Sequence, residues 1–148
     1  MKIRSWFSIA LLCMPVVARA TDEADAIAAA QKLFDGMAAH DAAMIRSTVL
    51  PDATLYALRP DGAAQTSKAT DFADHISALQ GALVERFIGK PTVLVRGRIA
   101  QVWGEYEFLR DGKFGHCGVD SFSLLKTADG WRIASISYTS ETTGCPGH

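Results

Sequence analysis

Helical and strand-forming patterns occupy different parts of this chain. Before residue 81, apolar residues recur mainly at three- and four-residue spacing. This spacing predicts a helix from Thr21, a short helix over 42–48 and a third helix capped by Thr70 and ended by Gly81. From Leu83 onward, strand-type residues dominate between turn signals. Helices followed by a run of antiparallel strands favour an α+β domain, with the helices on one side of a curved sheet.

Turn signals divide the strand-forming part. Asp111-Gly112 is a two-residue hairpin turn, and Gly97 is a candidate bulge. A short early strand is expected before Pro60, and the polar stretch 63–69 is expected to be a loop. The predicted strands cover residues 53–59, 83–88, 92–96, 99–110, 113–126 and 131–139.

Residues 1–20 have the layout of a secretory signal peptide. Two basic residues precede an apolar stretch, and Ala18–Ala20 form an A-x-A cleavage site. Cleavage there gives a domain over 21–148 that is periplasmic or secreted. The alternative is a buried N-terminal helix. Lipid attachment at Cys13 is disfavoured because the preceding residue, Leu12, is large.

Charge and hydropathy exclude two classes of partner. The 148 residues carry a net charge of −1. Removing 1–20 takes away three of the 15 basic side chains and none of the 16 acidic ones, which leaves −4. A mildly acidic domain lacks the excess of basic charge that is typical of nucleic-acid-binding proteins. The sequence also contains no apolar run long enough for a membrane anchor.

The last three strands carry a resemblance to a known superfamily. Their sequence, GRIAQVWGEYEFLRDGKFGHCGVDSFSLLKTADGWRIASISYT, and the preceding helices resemble the nuclear transport factor 2-like superfamily, in particular bacterial SnoaL-like proteins. The resemblance spans 22–140 and implies a cone of three helices against a strongly bent sheet that encloses an apolar pocket. Its members include steroid-ketone isomerases, polyketide cyclases, epoxide hydrolases and non-catalytic binding modules, so the fold does not select a function.

Cys117 and Cys145 remain after removal of the leader and are predicted to form a disulfide. The expected register puts Cys117 opposite Ser140, only five residues before Cys145, and export provides an oxidising compartment. Two free thiols or a metal site are the alternatives, although the spacing is poor for zinc. The four histidines show no ligand spacing and nucleotide-binding motifs are missing, so we expect no metal and no cofactor.

His116 is one candidate catalytic residue. The register set by the Asp111-Gly112 turn puts His116 opposite Glu107 on the preceding strand. The register of the following hairpin puts Glu141 opposite it on the other side. Two carboxylates would raise the pKa of the imidazole and suit it to acid or base chemistry. The alternative is a surface histidine in ordinary cross-strand charge pairs.

Asp120 is the second candidate catalytic residue. The same register puts it opposite Trp103 and Ser137, in the middle of a strand where a carboxylate needs a partner or a chemical role. It could act as general base on a small hydrophobic substrate. The alternative is a structural hydrogen bond to the Ser137 hydroxyl or to the indole of Trp103.

Strand alternation predicts one apolar and one mixed sheet face. The apolar face carries Val102, Tyr106, Phe108, Val119, Leu125, Ala134, Ile136 and Tyr138. The mixed face carries Trp103, Glu105, Glu107, His116, Asp120, Phe122, Ile133, Ser135 and Ser137. A mixed face is typical of a pocket with a few polar groups or of a solvated sheet. The apolar face packs under the helices or against a second subunit.

These patterns favour an exported domain that binds a small hydrophobic molecule in an apolar pocket and forms a homodimer. The alternative is an enzyme of the isomerase, cyclase or hydrolase type, with Asp120 or His116 as general base. His75 lies on the apolar stripe of its helix, where a histidine is commonly a core or rim residue. The candidate ligand-binding residues are Tyr56, Phe72, His75, Phe87, Trp103 and Phe122.

Overall fold

The computed structural model describes residues 21–148, so the predicted signal peptide lies outside the described residues. The helices are α1 (Asp22–Ala38), α2 (Ala42–Thr48) and α3 (Ala69–Ala78). The strands are β1 (Val49–Leu58), β2 (Ala64–Lys68), β3 (Leu83–Phe87), β4 (Thr92–Arg96), β5 (Ile99–Arg110), β6 (Lys113–Thr127) and β7 (Gly130–Thr139). None of the helices over 21–148 has the length and apolarity needed to cross a bilayer.

The strands form one mostly antiparallel sheet in the order β2-β1-β7-β6-β5-β3, with β4 also paired to β5. Only β1 and β7 pair in parallel among the described strands. The sheet is curled but not closed, and the helices cover its inner face. The predicted α+β class, with helices before the main run of strands, is therefore confirmed.

Helix α1 supplies the central part of the core. The Thr21 hydroxyl accepts a hydrogen bond from the backbone N–H of Ala24 at 3.3 Å and caps its first turn. On its buried face, the Phe34 ring meets Phe87 and Phe122 edge-on, with centroids 5.1 and 5.9 Å away. These contacts hold α1 against the inner face of the sheet, because edge-to-face rings add to the free energy of apolar burial.

The expected loop over 63–69 is wrong. Most of this stretch is β2, which pairs antiparallel with β1. All five of its residues are exposed, so the sequence shows no apolar alternation to reveal a strand. The third helix also differs from expectation. Lys68, rather than Thr70, occupies its N-cap, and it ends at Ala78, before Gly81.

Two bulges shift the predicted registers. Near the hairpin turn Arg110 lies opposite Lys113 as expected, but Gly115 is an extra residue in β6, and beyond it every pair moves by one. Ala134 has the same effect in β7, between the pairs Leu124–Ile133 and Ser123–Ser135. A Cβ at position 115 would lie 3.2 Å from both the ring and the carbonyl oxygen of Phe108, a tight contact that favours glycine there.

The bulges also correct the predicted division of the sheet faces. Tyr106, Phe108 and Tyr138 lie on the same inner face as His116 and Asp120. Each bulge shifts the inward–outward alternation of its strand by one residue. Residues that strict alternation predicts on opposite faces of the sheet therefore lie on the same face. Most residues of the predicted apolar face therefore lie under the helices, whereas Val119 and Leu125 lie on the outer face with Trp103.

A disulfide ties the C-terminal segment to β6. Cys117 and Cys145 are bonded, with their Cα atoms 5.8 Å apart. Cys117 also forms an isolated backbone bridge with Glu141 rather than with the expected Ser140, because the Ala134 bulge moves the register by one. The predicted pairing of the two cysteines is nevertheless the pairing found.

Replacing both cysteines, Cys117→Ser with Cys145→Ser, should lower the free energy of unfolding by about 3 kcal/mol. The reason is that the disulfide joins residues 28 positions apart and so restricts the unfolded chain. We expect the melting temperature to fall by roughly 10 °C. Calorimetry of a chain starting at Thr21 measures this. Intact mass with and without reductant is the control, and two freely alkylated thiols in the unreduced native protein would contradict the bond.

Candidate functional site

A cavity of about 500 Å³ lies between the inner face of the sheet and the helices α1 and α3. Its walls come from both helices and from every strand except β4. Most of the surface is apolar, with Leu33, Leu55, Phe72, Ile76, Phe122 and Ile136 among the lining residues. The mixture of aliphatic and aromatic walls with a few polar groups is typical of a small-molecule site.

The polar side chains of the cavity fall into two groups. Exposed residues mark its mouth: Gln65, Ser67, Asp71 and His75. Glu85, His116 and Asp120 are less accessible and belong to the interior. Within residues 21–148, no lysine or arginine lines this cavity. The same part of the chain contains no group of three His, Cys, Asp or Glu side chains arranged to hold a metal ion.

Asp120 is almost completely buried in the wall of the cavity. Strand β6 puts it opposite Gly104 and Tyr138, and the residue is 2% exposed. Its Oδ2 atom is buried without a hydrogen-bond partner among the described residues. Burial raises the pKa of this carboxyl from 3.8 to about 8, because the apolar surroundings disfavour its charged form.

The structural alternative predicted for Asp120 is wrong. Trp103 and Ser137 lie on the outer face of the sheet, with Trp103 48% exposed, and neither bonds the carboxyl group. The two bulges explain the difference. They move Asp120 out of register with both residues and give it Tyr138 as its neighbour across the strands.

Glu85 is an interior acid that the sequence analysis missed. It lies on β3 opposite Phe108 and lines the cavity. Burial raises its pKa well above the ordinary value, and the nearby Asp120 carboxylate adds to the rise. The residue is half-buried and borders the cavity. Residues two apart on a strand face the same side of the sheet, so the position of Glu85 between Leu83 and Phe87, which face inward, is the signal that could have identified it.

Two tyrosines lie beside the buried acids. The Tyr106 hydroxyl donates a hydrogen bond to the Thr139 carbonyl at 2.7 Å. Burial raises the pKa of Tyr106 and of Tyr138, and the carboxyl groups of Glu85 and Asp120 raise both further. Both phenols are therefore neutral at physiological pH, and each presents a polar oxygen on a largely apolar ring.

His116 reaches the cavity, but not between two carboxylates. Its ring stacks on Phe108 with centroids 4.8 Å apart and meets Tyr106 edge-on at 5.8 Å. Burial lowers the pKa of His116, so the predicted rise is wrong. Glu107 instead pairs on the outside with Arg86 at 2.6 Å and with His148 at 3.0 Å.

The other candidate ligand-binding residues divide between the cavity and other positions. Phe72, His75 and Phe122 line the cavity, with His75 at the exposed mouth. The ring of Phe87 lies in the core against Phe122, with centroids 6.1 Å apart, and does not line the cavity. Tyr56, like Trp103, lies on the outer face and is 46% exposed.

Solved structures share this architecture. A "putative dehydratase" of the nuclear transport factor 2-like family from Streptomyces avermitilis aligns with a TM-score of 0.68 and 17% identity, covering 82% of this chain and 97% of that one. A protein from Kribbella flavida gives 0.67 and 19%, with 82% and 91% covered. A nuclear transport factor 2-like protein with a cystatin-like fold from Novosphingobium aromaticivorans gives 0.64 and 17%, with 84% and 85% covered.

These likenesses establish a nuclear transport factor 2-like fold, as the resemblance found in the sequence implies. A family model described as "Putative lumazine-binding" matches residues 21–139. The chain belongs to that family, which has the SnoaL-like and nuclear transport factor 2-like fold. No curated protein matches the sequence. At such low identities the solved structures establish the fold alone.

The free energy of unfolding of the wild type should fall as the pH rises from about 4 to about 8, and Asp120→Asn should make this fall smaller. The unfolded carboxyl titrates near 3.8 and the folded one near 8, so rising pH takes a proton from the unfolded chain first and destabilises the fold. The wild type should lose on the order of a few kcal/mol through this group. Glu85 acts in the same direction, so some slope remains in the variant.

Urea unfolding across this pH window measures the slope. Asp71→Asn is the matched control because Asp71 also borders the cavity but is exposed at its mouth. Equal slopes in the wild type and in Asp120→Asn would contradict the assignment of a raised pKa to this carboxyl.

Proposed function

We propose that this protein binds a small, mainly apolar molecule in the cavity between its sheet and helices. The observation that carries the proposal is the cavity itself, about 500 Å³ with mostly apolar walls and a few interior polar groups. That volume lies within the range of typical ligand pockets, roughly 300 to 1,000 Å³. The polar groups would fix the orientation of the ligand, while burial of its apolar surface supplies the driving force.

The family description supplies one chemical probe. Lumazine is a flat bicyclic heteroaromatic compound with N–H donors and carbonyl acceptors. Aromatic residues such as Phe72 and Phe122 would contact its faces, while Asp120 and Tyr138 offer partners for its edge. Lumazine therefore belongs in the ligand panel with simpler apolar compounds.

Ala57→Phe should abolish ligand-induced stabilisation, because Ala57 lines the cavity and a phenyl group there occupies the ligand's space. We expect any compound that raises the melting temperature of the wild type to bind at least about tenfold more weakly to the variant. Differential scanning fluorimetry with the panel measures the effect. Ala28→Phe, on the exposed face of α1, is the matched control. A shift that Ala57→Phe retains would exclude the cavity as the site.

Catalysis by proton transfer is the second candidate function. It is supported by Asp120 and His116, which both line the cavity, one with a raised pKa and the other with a lowered pKa. A carboxyl group whose pKa is raised toward neutrality is suited to general acid–base work, and a lowered pKa keeps the His116 imidazole neutral and able to accept a proton. In this alternative Asp120 is the general base of an isomerase, cyclase or hydrolase, and His116 is its partner or substitute.

Asp120→Asn and His116→Gln separate the two functions. Small hydrophobic carbonyl compounds and epoxides are incubated with the wild type, and products are followed by chromatography. Catalysis predicts turnover by the wild type that falls by about 100-fold or more in at least one variant. Ligand-dependent melting shifts without turnover in any of the three proteins favour binding alone.

Export is part of the proposed function. The leader over 1–20 supports a periplasmic or secreted protein that starts at Thr21, and the Cys117–Cys145 bond is consistent with an oxidising compartment. N-terminal sequencing of the protein from cell fractions tests this. An intact Met1 on the accumulated protein would refute cleavage.

A homodimer through the outer face of the sheet is also proposed. Tyr56, Leu94, Ile99 and Trp103 are between 46% and 66% exposed on this side of the fold. The row that joins Tyr56 to Trp103 crosses Ser137 and Ser121, whose small side chains allow close approach. A dimer of ordinary size would bury about 800 Å² per partner.

Trp103→Glu should convert this dimer to a monomer, because it places a charge at the centre of an apolar contact. Sedimentation velocity at micromolar concentration measures the change. Lys90→Glu, at an exposed position between β3 and β4, is the control for the added charge. A wild type that sediments as a monomer would refute the dimer.

A further inference from the structure

The interior of the cavity carries acidic groups without any opposing charge. Glu85 and Asp120 lie inside it and Asp71 at its mouth, while no lysine or arginine from residues 21–148 reaches its walls. Asp120 is 2% exposed, and its Oδ2 has no hydrogen-bond partner among the described residues. A buried polar atom without a partner costs free energy, so its retention in an apolar wall needs an explanation.

We propose that the cavity selects hydrophobic amines, whose protonated nitrogen donates hydrogen bonds to the carboxylates of Asp120 and Glu85. This inference rests on the proposed binding function and specifies its ligand class. An ammonium group supplies up to three N–H donors, one of which would satisfy Asp120 Oδ2, the carboxylate oxygen that has no partner among the described residues. Charge-assisted hydrogen bonds of this kind are the stronger ones, particularly in surroundings of low dielectric constant.

Aromatic rings complete the environment of a cation. Tyr106, Phe108, Phe122 and Tyr138 line the same cavity as the two acids. The negative faces of such rings attract ammonium groups, and the attraction grows when the cation is removed from water. The aliphatic residues of α1 and α3, including Leu33 and Ile76, would contact the apolar body of the ligand. The ligand is therefore an amphiphile with one cationic end.

The same arrangement disfavours anions and gives neutral ligands no electrostatic advantage. A carboxylate or phosphate would bring its charge into an apolar cavity where no lysine or arginine of residues 21–148 offsets it, and it would be repelled by whichever of Glu85 and Asp120 is ionised. A neutral alcohol would make the same apolar contacts but could donate only one hydrogen bond, from its hydroxyl group. Comparing an amine with its alcohol and acid analogues therefore isolates the contribution of charge.

Proton release provides a second signature. Burial raises the pKa of Asp120 to about 8, so without a ligand this carboxyl is largely protonated at neutral pH, and burial raises the pKa of Glu85 as well. The other titratable groups that face it are Asp71, His75, Tyr106, His116 and Tyr138. A cation displaces protons from the acids, so amine affinity should rise between about pH 6 and pH 8. An alcohol should show no such rise.

The experiment uses the protein from Thr21 onward with four probes: 4-phenylbutylamine, 4-phenylbutanol, 4-phenylbutyrate and lumazine. Isothermal titration calorimetry near pH 7.5 is run in two buffers of different ionisation enthalpy. We expect the amine to bind at least about tenfold more tightly than the alcohol, with proton release, and the acid to bind more weakly than both. Lumazine tests whether neutral N–H donors are sufficient.

Two variants locate the effect. Asp120→Asn and Glu85→Gln should each weaken amine binding by about tenfold or more, reduce proton release and leave alcohol binding within about twofold. Asp129→Asn, on the exposed turn between β6 and β7 and outside the cavity lining, is the matched control and should change amine affinity by less than about twofold. Circular dichroism of each variant establishes that it is folded.

The outcomes distinguish this inference from the proposed function. Alcohol or lumazine binding as tight as amine binding, or amine binding unaffected by both acid variants, overturns amine selectivity while the binding function stands. Failure of all four probes and of the wider panel overturns both. An amine preference that the acid variants remove and Asp129→Asn retains supports the inference.

Discussion

Two extra residues in the antiparallel ladder determine which side chains of the sheet line the cavity. Gly115 in β6 and Ala134 in β7 each move the strand register by one. Beyond these bulges, His116, Asp120 and Tyr138 share the inner face of the sheet, and the cavity is built around them. Without the bulges, strict alternation would put Tyr138 and Asp120 on opposite faces of the sheet.

The cavity combines two energetic requirements that oppose each other. Apolar walls favour a ligand with a hydrophobic body, yet the same walls disfavour the charged forms of Glu85 and Asp120. The packing of Phe34 against Phe87 and Phe122 helps to keep the sheet and helices together beside this costly site. Binding sites commonly retain such local instability because a ligand relieves it.

Much of the fold could be predicted from the sequence. The spacing of Leu33, Phe34 and Met37 predicted the buried face of α1, and the Asp111-Gly112 turn located the β5–β6 hairpin. The pairing of Cys117 with Cys145 was also predicted correctly. Strand β2 was missed because an exposed edge strand of polar residues has no apolar periodicity.

The candidate site was predicted only in part, because it depends on contacts between distant segments. The sequence by itself determined that helices would cover one side of an antiparallel sheet and that His116 and Asp120 would lie mid-sheet on one face. Only the tertiary structure decided that Glu85 would join Asp120, that the pKa of His116 would fall, and that Trp103 would lie outside. Periodicity specifies the side of a strand locally, whereas bulges and burial follow from the packing of the whole chain.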